Sequence, residues 1–272
     1  MKTPVVASIP APLRTPLIRA GPLWIKAESA QRTNSAKYRM VAAKVAAALQ
    51  AGQIVDGTTL AEVTAGSTGV ALATVGECLG LPVELHAYQT IAPDKKEAIE
   101  ERGARLVLHP RTVPVSALLD RVKNASASGR YWHLNQYDRS STVAAYRDLA
   151  EELILQVRGL KAPPPAVFLC PVGTGGLIQG VGAALRSAFP GIRVVALEPQ
   201  AGSTIDGIRN TELLHQGADD PYDRGFPDEV VRVPAPGTSI AVGSIPLGES
   251  ATAAFLAASA RDWASTLILA PD

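Results

Sequence analysis

Short apolar runs alternate along this chain with longer stretches in which apolar residues recur at helical spacing, and the two periods separate strands from helices. Val83–Tyr88 follows a turn at Gly80-Leu81-Pro82 and reads as a buried strand. Pro93–Arg102 starts with a proline suited to a first helical position, carries Asp94 in its first turn and stops before Gly103, the marks of a helix. The same reading predicts strands at Arg105–His109, Ala166–Cys170, Val194–Leu197 and Thr266–Ala270, and marks Tyr131–Leu134 as short and apolar. It predicts helices at Ala36–Leu49, Pro114–Ala127, Val143–Val157, Gly176–Phe189 and Glu249–Ala260. The apolar stretch Thr59–Val63 precedes a further helix that runs to Leu79. Residues 199–248, rich in Gly, Pro and Asp, predict loops with one short strand at Glu229–Val233. Strand, loop, helix and strand at this spacing predict an α/β fold with mostly parallel sheets covered by helices.

Composition narrows the partners. The 272 residues leave room for about two ordinary domains. They are 47% hydrophobic, with 26 Lys+Arg against 25 Asp+Glu, a core-building balance without the basic excess of a nucleic-acid binder. No run approaches the ~20 apolar residues that a membrane span needs. Two cysteines, Cys78 and Cys170, make no disulfide framework and fit a reducing compartment, so a cytoplasmic protein is expected. The four histidines share no i, i+4 pair and neighbour no Cys-x-x-Cys, so no metal site is expected.

Three places where a loop feeds a helix carry the candidate chemistry. After the strand Ala166–Cys170, the backbone through Gly173-Thr174-Gly175-Gly176-Leu177 can turn tightly and bring several N–H groups to one point. The following helix adds its free amides and positive dipole end, an anion site suited to phosphate. A dinucleotide site competes for this loop, because Glu198 stands about 25 residues on, where such folds keep a ribose-binding acid. Ile178, however, occupies the place of the third glycine. At the second junction, Ser35 is a candidate N-cap that puts Lys37 in a first helical turn, where the dipole disfavours a protonated amine. A lysine on a helix is otherwise an ordinary solvated charge. At the third, Thr64-Ala65-Gly66-Ser67-Thr68-Gly69 gathers hydroxyls and amides that fit a carboxylate, or simply cap a helix.

An amine, a phosphate cradle and a carboxylate clamp together meet the needs of a pyridoxal 5′-phosphate enzyme acting on an amino acid. In this order the segments resemble the cysteine synthase and cystathionine β-synthase group of the tryptophan-synthase-β-like fold. Asn34–Arg39 is similar to the group's N/G-S-x-K-x-R segment and Thr64–Gly69 to its T-S-G-N-T-G loop. Asn135-Gln136-Tyr137-Asp138, Gly173–Gly176, Leu197-Glu198-Pro199 and Gly248–Ala254 resemble four further segments.

The resemblance implies two doubly wound α/β domains, residues 38–145 and residues 1–37 plus 146–272, with the cofactor in the cleft between them. It implies that Lys37 is the Schiff-base lysine and the catalytic base. It assigns Ser67, Gly173, Thr174, Gly175, Gly176 and Leu177 to the cofactor, and Thr64, Ala65, Gly66, Ser67, Thr68 and Gln136 to the substrate. The expected activity is β-replacement or β-elimination on a serine- or cysteine-type amino acid by a homodimeric lyase or transferase.

Several positions depart from the group. Ser67 stands where an asparagine contacts the cofactor's 3′-oxygen, Ala65 where a hydroxyl residue stands, and Leu177 where a threonine helps hold phosphate. The segment Asp206-Gly207-Ile208-Arg209 lacks the usual G-I-G-x-G-F, and Val233–Gly248 is short for a helix. Leu267–Asp272 resembles the strand leading into the residue opposite the pyridine nitrogen, and the sequence ends before that residue. Two other readings follow: a non-catalytic scaffold that keeps the fold, and an NAD-dependent oxidoreductase built on Gly173–Gly176 and Glu198.

Overall fold

The computed structural model describes residues 8–64, 66–211, 222–263 and 265–272. The chain opens with β1 (Leu17–Ala20) and β2 (Leu23–Ala27), then α1 (Lys37–Gln50), β3 (Thr59–Val63), α2 (Ser67–Leu79) and β4 (Val83–Tyr88). Next come α3 (Pro93–Glu100), β5 (Arg105–His109), α4 (Val115–Ala127), β6 (Tyr131–His133), α5 (Arg139–Ala144) and α6 (Arg147–Arg158). The remainder is β7 (Val167–Pro171), α7 (Gly176–Ala188), β8 (Arg193–Pro199), β9 (Glu229–Val233), β10 (Ala241–Val242), β11 (Ile245–Pro246), α8 (Glu249–Ser259) and β12 (Thr266–Ala270).

Two compact units result. The first joins Lys37–Gln136 to the segment ending at Pro12; the second joins Leu13–Ala36 to Tyr137–Asp272. The first unit holds a sheet of order β5-β4-β3-β6, parallel throughout. Its inner strands are buried on both faces, which is why Thr59–Val63 and Val83–Tyr88 read as largely apolar runs, broken by the buried Glu62, Glu84 and His86. The second unit's sheet has the order β1-β2-β12-β7-β8-β9. The β1–β2 pair is an antiparallel hairpin and the other pairings are parallel. Leu23, Ile25, Leu169, Val195 and Ile268 pack there against the alanines of α8.

Two elements differ from expectation. The helix predicted at Val143–Val157 is two helices, α5 and α6, with a break at Ala145–Tyr146. The Asp138 carboxylate caps α5 by accepting from the Ser141 amide at 3.0 Å, which starts that helix earlier. Helix α7 then approaches so closely that a Cβ on Gly180 would stand 2.7 Å from the Val143 carbonyl oxygen. Within the expected loop region, β10 and β11 form a small antiparallel hairpin that turns at Gly243, φ +61°.

Buried charges staple the second unit together. Lys26 is fully buried on β2, and its Nζ donates to Glu152 of α6, to the Thr15 carbonyl at 2.7 Å and to Gln156 Oε1 at 2.9 Å. Glu152 also accepts from the Thr15 amide at 2.9 Å. A buried pair of this kind costs more when one partner is removed than the intact pair contributes. Lys26→Ala is therefore expected to lose about 3–5 kcal/mol, seen as a lower urea midpoint at unchanged slope. Lys26→Met combined with Glu152→Gln should recover most of that loss.

The first unit carries a buried polar cluster of its own. His86 Nδ1 lies 3.0 Å from His109 Nε2, and His86 Nε2 lies 3.3 Å from Glu84 Oε1. Glu84 also accepts from Tyr131 and, at 2.9 Å, from Arg105. Burial pushes the His86 pKa below its ordinary 6.5; Glu84 pulls it up again, while His109 and Arg121 add to the lowering. The unfolded chain thus takes up a proton that the folded chain resists, so stability is retained above 6.5 and declines as pH falls below it. Urea midpoints measured from neutral pH downward should drop in the wild type and flatten in His86→Gln down to the pH range in which carboxylates begin to titrate.

Candidate functional site

Lys37 is the first residue of α1 and is half-buried. The turn before it depends on Asn34, whose φ of +52° lies in the left-handed region that asparagine tolerates better than most residues. This is a physical reason for asparagine or glycine at that position. In the second unit, Ala36 donates its amide to the Pro271 carbonyl at 2.8 Å, anchoring the residue before the lysine to the end of β12.

The third junction is more internally bonded than its hydroxyls imply. Gly66, at φ +148°, precedes α2, and a Cβ there would meet the Lys95 side chain at 2.3 Å. Thr64 Oγ1 accepts from the Gly66 amide at 3.0 Å and the Gly69 amide at 3.2 Å, so this hydroxyl caps the helix from two residues outside it. Thr68 Oγ1 donates to Gln136 Oε1 at 2.8 Å, and Gln136 Nε2 donates to the Val63 carbonyl at 2.8 Å. The Gln136 amide in turn donates to Glu62 at 2.9 Å, and Asn135 before it sits at φ +50°. Thr64, Gly66, Thr68 and Gln136 are thus brought together. Ser67 is half-buried at the first helical position. Its amide and that of Thr68 precede the first intrahelical bond, Val70 N–H to Gly66 C=O at 3.0 Å. Ala65 lies outside the described residues.

In the second unit, β7 ends at Pro171 and the glycine loop leads into α7. Gly175 is the N-cap at φ +84° and offers no side chain to the helix. The first intrahelical bond runs from the Gln179 amide to the Gly175 carbonyl at 3.1 Å, leaving the amides of Gly176, Leu177 and Ile178 without intrahelical acceptors. These three donors, the dipole end and the buried Thr174 suit an oxyanion such as phosphate.

The glycines also have packing reasons. A Cβ on Gly175 would run into Tyr222 at 2.6 Å, and one on Gly176 into Thr142 at 2.4 Å. The sequence contains no local signal for either neighbour. Glu62 did have one, as a lone acid in the apolar run Leu60-Ala61-Glu62-Val63.

Glu198 does not suit a ribose. It is fully buried, accepts from Thr211 Oγ1 at 2.6 Å and lies 3.5 Å from Arg232 Nε. At α8, Ser250 Oγ donates to Asp272 Oδ1 at 2.6 Å and the Gly248 amide to the Asp272 carbonyl at 3.1 Å. Among the described residues, no three His, Cys, Asp or Glu side chains group to hold a metal, and no helix is long and apolar enough to cross a membrane.

Known proteins are similar to this chain in sequence and in fold. A cysteine synthase of Staphylococcus aureus is 29% identical over 189 residues, covering 69% of this chain and 60% of that protein. A cysteine synthase of Aquifex aeolicus is 31% identical over 197 residues, covering 70% and 58%. The chain therefore spans less than two thirds of those relatives' length. Among solved structures, O-ureido-L-serine synthase matches with TM-score 0.80 at 26% identity over 98% of this chain and 90% of that one. A hydrogen sulfide-producing enzyme from Fusobacterium nucleatum has the same fold, with TM-score 0.81 at 20% identity over 98% and 96%. The sequence profile of the pyridoxal-phosphate-dependent enzyme family matches residues 9–257, and the chain belongs to that family.

Proposed function

We propose that the protein catalyses β-replacement or β-elimination on an amino acid of serine or cysteine type, with pyridoxal 5′-phosphate as cofactor. The observation that carries the proposal is the start of α7: three amides without intrahelical acceptors behind a glycine cap, in a chain of a pyridoxal-phosphate-dependent family. When bound, the cofactor supplies an electron sink for charge at the substrate Cα. Gly173, Thr174, Gly175, Gly176 and Leu177 hold the phosphate through backbone amides and the Thr174 hydroxyl. Lys37 would hold the cofactor covalently and would serve as the base that takes the Cα proton.

The substrate carboxylate is received at the start of α2, by the amides of Ser67 and Thr68 and the Ser67 hydroxyl. Thr64 and Gln136 hold that helix start in place, which supports a fixed orientation of the Cα–H bond. The names of the relatives support the substrate class. We also propose that the enzyme is a homodimer, as the family resemblance implies, and cytoplasmic, in keeping with its two cysteines; light scattering of purified protein tests the stoichiometry.

An absorption spectrum of purified protein titrated with serine, O-acetylserine and cysteine tests the activity. A band moving to longer wavelength with one of them identifies the substrate. A protein that stays colourless with added cofactor is instead a scaffold. Lys37→Ala is expected to lose both the visible absorption of covalently attached cofactor and turnover; a coloured, active variant overturns the assignment. Gly175→Ala places a methyl group against Tyr222 at a left-handed backbone position. It should cost roughly 1–3 kcal/mol in a denaturation experiment and weaken cofactor binding.

A further inference from the structure

We infer that Arg209 is a positioning residue of the glycine loop, setting the direction in which the Thr174 amide points; this rests on the phosphate reading proposed above. Arg209 lies outside every segment that the sequence assigns to the cofactor. It is half-buried, and its backbone amide donates to the Val172 carbonyl at 3.0 Å. Its Nε donates to the Gly173 carbonyl, and its guanidinium lies 5.9 Å from the centre of the Tyr137 ring. The arginine thus grips two successive carbonyls at the point where β7 gives way to the loop.

The consequence follows from peptide geometry. A trans peptide is planar, with its C=O and N–H pointing in opposite directions. A donor clamped on the Gly173 oxygen therefore turns the Thr174 N–H away from the guanidinium. Glycine offers little resistance of its own to rotation of that peptide, since it has no Cβ to restrict φ and ψ. A flipped peptide would present a carbonyl oxygen where an anion needs a donor. The positive charge on the Gly173 oxygen also polarises the peptide and strengthens its N–H as a donor.

Leu177 makes this grip matter more. It stands where the family resemblance implies a threonine hydroxyl, so more of the phosphate's hydrogen bonding falls on correctly aimed backbone amides. The structure supplies the aim from a residue 36 positions along the chain from Gly173.

The test separates phosphate recognition from the rest of cofactor binding. Affinities of wild type, Arg209→Met and Arg209→Lys are measured by absorbance titration of cofactor-free protein with pyridoxal 5′-phosphate and with pyridoxal, which lacks the phosphate. Arg209→Met should weaken pyridoxal 5′-phosphate about tenfold, the worth of one charge-assisted hydrogen bond, and leave pyridoxal unchanged. Arg209→Lys, which keeps a charged donor able to reach the carbonyl, should recover most of the affinity. The inference is overturned if Arg209→Met binds pyridoxal 5′-phosphate like the wild type, or if both compounds weaken equally. If the wild type itself fails to distinguish the two, the phosphate reading of the loop fails first. Should the methionine variant not fold, Arg209→Gln gives the same ratio.

Discussion

The amides at the start of a helix have no partner within it, and a loop that enters a helix must either satisfy them or leave them for a ligand. At α2 the chain satisfies one of them internally, because Thr64 Oγ1 reaches the Gly69 amide. At α7 the cap is a glycine and contributes no side chain. The two junctions share a design, a parallel strand running into a glycine turn and a helix, yet the second keeps more donors available for an anion. Much else in the second unit serves that junction: Tyr222 and Thr142 close on its glycines, and Arg209 holds its first carbonyl.

Buried acids do comparable work for loops within each unit. Glu62 receives the Gln136 amide, Glu198 receives Thr211, and Glu152 receives both Thr15 and Lys26. Each carboxylate sits on a sheet strand or a packed helix and fixes a backbone group of a less regular segment. Desolvation makes an unpaired carboxylate there costly, so these contacts resist rearrangement. The loops they hold are therefore preorganised, which hydrogen-bond recognition of a substrate requires.

Where the chain departs from the pattern that the family resemblance implies, the proposed contacts fall to backbone rather than to side chains. Ser67 and Leu177 lack the longer amide and the hydroxyl of the usual pattern, but the amides at both helix starts depend only on the turn before them. Those turns rest on Gly66 and Gly175 at positive φ, conformations that side chains of other residues resist. Asn34 and Asn135 carry left-handed turns of the same kind before Lys37 and Gln136.

Most of the fold was legible along the chain, because strand and helix periodicity, proline and glycine punctuation and the glycine loop depend on residues a few positions apart. The parallel α/β class, the strands from Val83 to Thr266 and a helix beginning within a residue of Lys37 all follow from such local signals. The break at Ala145–Tyr146 does not; it lies beside Val143, which α7 approaches closely at Gly180. Nor do the hydrogen bonds from Thr68 to Gln136, both expected as substrate contacts, and from Gln136 to Val63, 73 residues away. The sequence named the donors and acceptors, but only the folded chain decides which of them meet. That choice depends on which strands become neighbours, as when β12, the last strand, inserts between β2 and β7.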